Sequence, residues 1–394
     1  MAQNIEEFKD SFPVGDLGII ALNSCTALGS RINDYIVNWR KERSEQASFL
    51  LDHLQDSYLV GSKCPRFGTG EAKGEILDSI RGKDLYILVD VTNYSITYKV
   101  CGNINRMSPD DHYADLKRVI TAAAGKARRI NVIMPFLYES RQHRRTGRES
   151  LDCAVMLQEL CGLGVDNIIT LDAHDPRVQN AIPNSGGFEN MMPTYQFSKA
   201  LFENIPDLEV DADHMMIISP DEGAMGRAVY YSNVLGLDMG MFYKRRDYSR
   251  VVDGRNPIVA HEFLGSSVEG KDVIIFDDMI SSGESMLDVA RELKERKARR
   301  VFVAATFGLF TNGMKLFDEY YEKGLIYRVM TTNAIYQSPE LLSRPYYINV
   351  DVSKYFALLI DKLNYDHSIS ELLDPSVRIR KALTAYNEGK EIQD

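Results

Sequence analysis

Two adjacent carboxylates, Asp277 and Asp278, are followed closely by hydroxyls and a glycine in Ser281-Ser282-Gly283-Glu284-Ser285. Neighbouring carboxylates can take sugar hydroxyls or a metal ion, and a small-residue turn running into a helix can present backbone N–H groups to an anion. A phosphorylated sugar would use both halves, although an ordinary serine-capped turn accounts for the same spacing. Three more polar clusters stand out: Arg141-Gln142-His143-Arg144-Arg145, Asp172-Ala173-His174-Asp175 and Pro220-Asp221-Glu222-Gly223. Solvated loops explain any one of them, but explain all of them together less well. The run Lys244-Arg245-Arg246, within Phe242 to Arg250, reads either as a solvated loop or as a cationic flap over polyphosphate.

Each cluster follows a run of β-forming residues. Val273 to Phe276 precedes the paired aspartates, Ile130 to Met134 precedes Pro135 and the Arg141 segment, Asn167 to Leu171 precedes His174, and Met215 to Ser219 precedes Asp221. Further strands are expected at Leu85 to Val89 and Val301 to Ala305, with helical stretches between most of them, as in Met286 to Leu293. The alternation predicts an α/β fold with mainly parallel sheets, and the nearly continuous apolar character of the strands predicts helices on both faces. In such sheets ligands sit beyond the carboxyl ends of strands, where these clusters fall. Pro183 to Met192 reads as a loop, and Arg31 to Leu54 as a helix.

The chain has 394 residues, a length that suits two domains. A net charge of −10 and a pI near 5.3 supply no global attraction for nucleic acid or anionic lipid, so a basic cluster is a local device. Five cysteines without a CxxC pair argue against a disulfide framework or a zinc site and fit a reducing cytoplasm. The acidic start MAQNIEEFKD and the lack of a long apolar run predict neither export nor a membrane anchor. Gly82-Lys83-Asp84 and Gly270-Lys271-Asp272 each introduce an expected strand, a hint of two similar domains in tandem.

The order of these clusters resembles the ribose-phosphate diphosphokinases, the phosphoribosyl pyrophosphate synthetases, from about Arg66 to about Gly313. Phe276 to Ser285 resembles the family's ribose-phosphate loop, and Ser219-Pro220-Asp221-Glu222-Gly223 its Ser-Pro-Asp segment. Thr170 to His174 resembles its metal and ATP segment, Arg141-Gln142 its ATP-contacting pair, and Lys244-Arg245-Arg246 its catalytic loop. Arg66-Phe67-Gly68-Thr69-Gly70-Glu71 resembles the stretch that reaches the adenine of a neighbouring subunit. The resemblance implies two tandem phosphoribosyltransferase-like domains. These would span 56–205 on the ATP side and 206–345 on the ribose 5-phosphate side, with an N-terminal extension over 1–55 and a C-terminal segment over 346–394 packing back on the first domain.

The implied activity is transfer of the β,γ-diphosphoryl group of ATP to the 1-hydroxyl of ribose 5-phosphate. In that reading Lys244 and Arg246 are catalytic, and Phe67, Glu71, Arg141, Gln142 and His174 bind ATP. Asp277, Asp278, Ser281, Ser282, Gly283 and Ser285 bind ribose 5-phosphate, and Asp221 and His174 serve Mg²⁺, the histidine less directly because that ion prefers oxygen. A homo-oligomer, a dimer or a trimer of dimers, follows from the role of Phe67 and Glu71. The family pattern is broken at Thr69, His143, Ser281, Ser282, Glu284 and Ser285. Of these, Thr69, His143 and Glu284 keep open a catalytically weak regulatory paralogue, and the shared Asp-Asp loop keeps open a phosphoribosyltransferase. Glu284 in particular puts a carboxylate where a phosphate would bind.

Overall fold

The structure, a computed structural model, describes residues 8, 11–46, 54–246 and 258–392. The chain divides into two compact units. One contains the described residues up to Pro193 together with 333–336 and 351–374; the other contains 194–332, 337–350 and the chain from Pro375 on.

The first unit is built on a five-stranded parallel sheet. Its strands are Leu17–Ala21, Asp84–Leu88, Arg129–Ile133, Asn167–Leu171 and Gly187–Met191, in that spatial order. Two short antiparallel pairs stand outside it: Ser62–Lys63 with Glu75–Ile76, and Thr97–Val100 with Asn103–Arg106. The second unit has a seven-stranded sheet in the order Ile258–Leu264, Asp238–Arg246, Met215–Ser219, Asp272–Ile280, Arg300–Gly308, Arg328–Thr332 and Tyr347–Val350. Every pairing in it is parallel except the first.

Alternation of side chains along these strands builds the second unit's two cores. Val273 and Ile275 pack with Val301 and Val303 under Met286, Leu287, Ala290 and Leu293 of the helix Glu284–Glu295 and under Phe317. Ile274 and Phe276 point the other way and pack with Phe302 and Ala304 against Tyr195, Leu201, Ala228, Tyr231 and Ile379. Both faces are thus covered, and the apolar strand runs follow from that requirement.

The Gly-Lys-Asp repeat has the same hydrogen-bonding role in each unit. Gly82 and Gly270 take positive φ, 74° and 75°. Their amides donate to Lys126 and Lys297, and the lysine amides donate to Ile80 and Val268. Each aspartate then opens a strand fully buried and receives an arginine from the neighbouring strand: Arg129 Nε on Asp84 at 2.8 Å, and Arg300 Nε on Asp272 at 3.0 Å. A buried carboxylate persists only when paired, which explains why the tripeptide recurs with its arginine. Asn131 and Asn364 also donate to Asp84. Asp84→Ala would strand these donors, and a loss of about 4 kcal/mol is expected. Urea unfolding monitored on the intact chain measures it; a loss below about 1 kcal/mol would exclude a structural role for the aspartate.

Several boundaries differ from the sequence reading. Residues assigned to the extension 1–55 supply the strand Leu17–Ala21 and the helix Thr26–Gln46 to the first unit. That helix is fastened where Arg40 and Arg43 close on the buried carboxylate of Asp361 at 2.9 and 2.7 Å. Those two guanidiniums outweigh burial and hold the Asp361 carboxyl down at about 2. The helical reading of Arg31 to Leu54 covers part of this helix, and 47–53 lie outside the described residues. The segment 346–394 is not one piece: Ser353–Asn364 belongs to the first unit. The helix Ser376–Asn387 belongs to the second, where Ile379 enters the core and the Tyr386 hydroxyl donates to the Ile205 carbonyl at 2.7 Å.

Pro183 to Met192, read as a loop, contains the edge strand Gly187–Met191. An edge strand with one partner needs no apolar run, and Gly-Phe-Glu-Asn-Met offers none. Among the described residues no helix is long and apolar enough to cross a membrane, and all five cysteines are free.

Candidate active site

In the second unit the strand Asp272–Ile280 runs on past Phe276 and carries both aspartates within it. It does so because Arg300–Gly308 extends equally far and supplies ladder partners, Asp277 to Ala305 and Ile280 to Gly308. Asp278 is buried and Asp277 half-buried, and the Asp278 amide donates to Asp277 Oδ1 at 2.8 Å. Burial, then the adjacent Asp278 carboxylate, raises the Asp277 carboxyl well above its ordinary range, with Arg227 offsetting part of the rise. Two crowded carboxylates of this kind are stabilised by any donor placed against them, a diol or a cation.

Ser281, Ser282 and Gly283 make the turn after the strand, and the helix Glu284–Glu295 follows. Gly283 is the N-cap with φ 89°, and no side chain caps the helix. The first intrahelical bond is Leu287 to the Gly283 carbonyl. The amides of Glu284, Ser285 and Met286 therefore precede the helix's own hydrogen bonding and form an anion-receptive end. Glycine is required here twice over. Its φ is left-handed, and a Cβ would lie 2.3 Å from the ring of fully buried Phe317. The loop that follows Gly308 docks on the turn through Thr311 N to Ser281 O at 3.0 Å, and Asn312 Nδ2 reaches Glu284 Oε1 at 3.4 Å.

Asp221 follows the strand Met215–Ser219. Its Oδ1 accepts from the amides of Gly223 and Ala224 at 2.9 and 3.3 Å, so the carboxylate shapes the turn into the helix Met225–Leu235. Lys244, Arg245 and Arg246, read as part of a loop, are the last residues of the strand Asp238–Arg246. They pair with His261, Ala260 and Ile258, with a register shift between Arg245 and Arg246. The remainder of the basic segment, from Asp247, lies outside the described residues.

In the first unit Asp172, buried at φ 42°, turns the chain out of the strand Asn167–Leu171. The edge strand Gly187–Met191 holds that turn: the Asp172 amide donates to Met191 O, and Asn190 Oδ1 accepts from the Ala173 amide. His174 emerges from it half-buried, its ring 5.5 Å from that of His143. His143 Nε2 lies 3.4 Å from Asp175 Oδ2, while Arg177 clamps the same carboxylate. The hydrogen bonds from Arg177 hold Asp175 at about 2, so His143 faces a carboxylate that stays charged.

Arg141 is exposed, whereas Gln142 Nε2 donates to the carbonyls of Arg144 and Ser150, at 3.3 and 2.8 Å, and braces its own loop. Phe67 and Glu71 sit on a tight turn, with Phe67 N on Glu71 O at 2.7 Å and Thr69 Oγ1 on Glu71 Oε2 at 2.9 Å. Phe67 is 53% exposed.

The residues expected from the sequence therefore gather into two sets. Phe67, Glu71, Arg141, Gln142 and His174 belong to the first unit; Asp221, Lys244, Arg246 and Asp277 to Ser285 belong to the second. Arg227, Phe317, Asn312 and Asn190 escaped the sequence reading. Each acts from a different element through a contact that spacing along the chain does not reveal. Among the described residues no group of three or more His, Cys, Asp or Glu side chains is placed to hold a metal.

Comparison with known proteins identifies both domains. Residues 17–164 match the model of the N-terminal domain of ribose phosphate pyrophosphokinase, and 192–344 match that of the phosphoribosyl transferase domain. The ribose-phosphate pyrophosphokinase of Vibrio parahaemolyticus is 28% identical over 334 residues, covering 84% of this chain and 96% of the relative. That of Ralstonia nicotianae is 30% identical over 258 residues, covering 65% and 71%. The crystal structure of phosphoribosylpyrophosphate synthetase from Mycobacterium smegmatis superposes with a TM-score of 0.67 at 20% identity, covering 88% of this chain and 98% of that one. Two tandem phosphoribosyltransferase-like domains, each a mainly parallel sheet flanked by helices, describe the fold.

Proposed function

The chain belongs to the ribose-phosphate pyrophosphokinase family, and from that premise we propose that it joins ATP and ribose 5-phosphate to give 5-phosphoribosyl 1-pyrophosphate and AMP for nucleotide biosynthesis. The 1-hydroxyl of the sugar loses its proton to solvent and its oxygen bonds to the β-phosphorus, the bond from that phosphorus to the α–β bridging oxygen breaks, and AMP leaves with the bridging oxygen. The observation that carries the reading is the uncapped helix end directly after Asp277 and Asp278, organised by a left-handed Gly283. It offers amides to a 5-phosphate and carboxylates to ribose hydroxyls in one continuous stretch.

Transfer between two polyanions asks a protein mainly for positioning and charge neutralisation. In the proposed roles the turn from Ser281 to Ser285 holds the 5-phosphate, and Asp277 and Asp278 orient the ribose. Arg141, Gln142 and His174 serve ATP. Lys244 and Arg246 meet the charge on the transferred group.

Mg²⁺ suits this residue set. The ion keeps several waters and is carried on substrate phosphates with one or two carboxylates, so it needs no cage of protein ligands, and among the described residues none is built. In the second unit Asp221 would hold it, and in the first unit His174 would serve ATP phosphate. When bound, the ion neutralises phosphate charge. The exposed ring of Phe67, beside Glu71, supports assembly into at least a dimer in which this turn serves a neighbouring copy.

Incubation with ATP, ribose 5-phosphate and Mg²⁺ should yield AMP and phosphoribosyl pyrophosphate in equal amounts. Absence of both products from folded protein would overturn the activity. Sedimentation at the same concentration tests the assembly, which a fully active monomer would contradict.

A further inference from the structure

Glu284 is the first residue of a helix whose leading amides are uncapped, so its carboxylate is a tethered anion beside an anion site. Side chains at such positions can fold over the amides and compete with a ligand. Here the carboxylate is engaged elsewhere, by Asn312 Nδ2 at 3.4 Å. Asn312 does not reach it by chance of a wandering loop. The preceding residues are bonded to the turn itself, Leu309 and Phe310 to the Ile280 carbonyl and Thr311 to the Ser281 carbonyl, and Gly313 N closes the loop onto Phe310 O. Glu284 and Asn312 are both exposed, so neither serves the core.

We infer that Glu284 lowers the affinity of the turn for a phosphate dianion, and that Asn312 sets the strength of this effect by holding the carboxylate aside. The inference rests on one part of the proposed function, the turn as a phosphate site, and not on the identity of the sugar. Repulsion between a carboxylate and a dianion a few ångströms apart at a solvated surface is modest and salt-dependent. Losing the Asn312 amide frees the carboxylate to approach the amides, which strengthens the competition. The two side chains therefore have opposite effects on affinity, and the effect of Asn312 exists only while Glu284 is charged.

Calorimetric binding of ribose 5-phosphate, and separately of inorganic phosphate, to wild type, Glu284→Gln, Asn312→Ala and the double variant tests this. Glu284→Gln should tighten both ligands about fivefold at low salt, with the gain shrinking as ionic strength rises. Asn312→Ala should weaken them about threefold in the wild-type background and leave them within about 1.5-fold in the Glu284→Gln background. Unchanged affinity in Glu284→Gln, or an equal loss from Asn312→Ala in both backgrounds, would overturn the inference. If ribose 5-phosphate fails to bind while inorganic phosphate follows the pattern, the substrate assignment falls and the inference stands. If neither ligand binds, both fall.

Discussion

Alanine at Lys244 or at Arg246 is expected to lower turnover on the order of 100-fold while changing ATP affinity by less than about threefold. The two cations lie at the end of the strand Asp238–Arg246, where Lys244-Arg245-Arg246 is a local run of like charge in a chain of net charge −10. Their proposed task is to meet charge that develops on the diphosphoryl group, an interaction stronger in the transition state than in the bound substrate. Such an interaction shows in kcat and leaves ground-state binding nearly untouched. Arg245 is the internal control, since in a Lys-x-Arg arrangement it is the middle residue, and Arg245→Ala should cost less than about fivefold. The register shift of the ladder falls between Arg245 and Arg246, so the backbone itself changes course at this pair. Steady-state turnover together with equilibrium ATP binding for the three variants decides the matter. Near-wild-type turnover in both outer variants removes the proposed role, and a dominant Arg245 effect shifts the alignment of the segment by one residue.

Gly283→Ala should weaken ribose 5-phosphate binding by more than about tenfold and lower stability by about 2–3 kcal/mol, while ATP binding is retained. The new methyl group would sit 2.3 and 2.5 Å from two ring carbons of Phe317, which is fully buried and packs edge-on against Phe310 at 5.1 Å. The ring has nowhere to go without disturbing the core, so the turn must move, and the amides of Glu284, Ser285 and Met286 move with it. The left-handed φ of 89° adds strain independent of contact. Gly313→Ala separates the two contributions. That glycine has φ 75° but open space around its Cα, so only the backbone strain of about 1 kcal/mol is expected, with sugar-phosphate binding kept. Thermal unfolding and ribose 5-phosphate titration of both variants measure it. Equal losses in the two would show that the Phe317 contact does not matter.

Much of the candidate site was legible because its residues are contiguous. A strand, two aspartates, a hydroxyl-rich turn and a helical pattern follow one another between Asp272 and Glu295, and covalent neighbours stay neighbours in the fold. The sheet cores were legible for a related reason. Strands covered on both faces must be apolar throughout, so Val273 to Phe276 and Met215 to Ser219 were visible as uninterrupted runs. The Gly-Lys-Asp repeat was visible as text, but its meaning needed the structure, since Arg129 and Arg300 reach Asp84 and Asp272 across a strand pairing.

By itself, then, the sequence determined the α/β class and the chemical types gathered at the strand ends, since both are written in local pattern. Tertiary structure alone decided what depends on partners remote in sequence. Asp361 and Arg40 draw the helices Ser353–Asn364 and Thr26–Gln46 together, so residues read as extension and tail become part of the first unit. The polar edge strand Gly187–Met191 forms because Asn167–Leu171 offers it a ladder. Phe317 makes Gly283 indispensable, and Asn312 decides where the Glu284 carboxylate rests. Residues far apart along the chain leave no periodicity that links them, and only the packed fold, by burying a charge or closing a van der Waals gap, makes one the condition of the other.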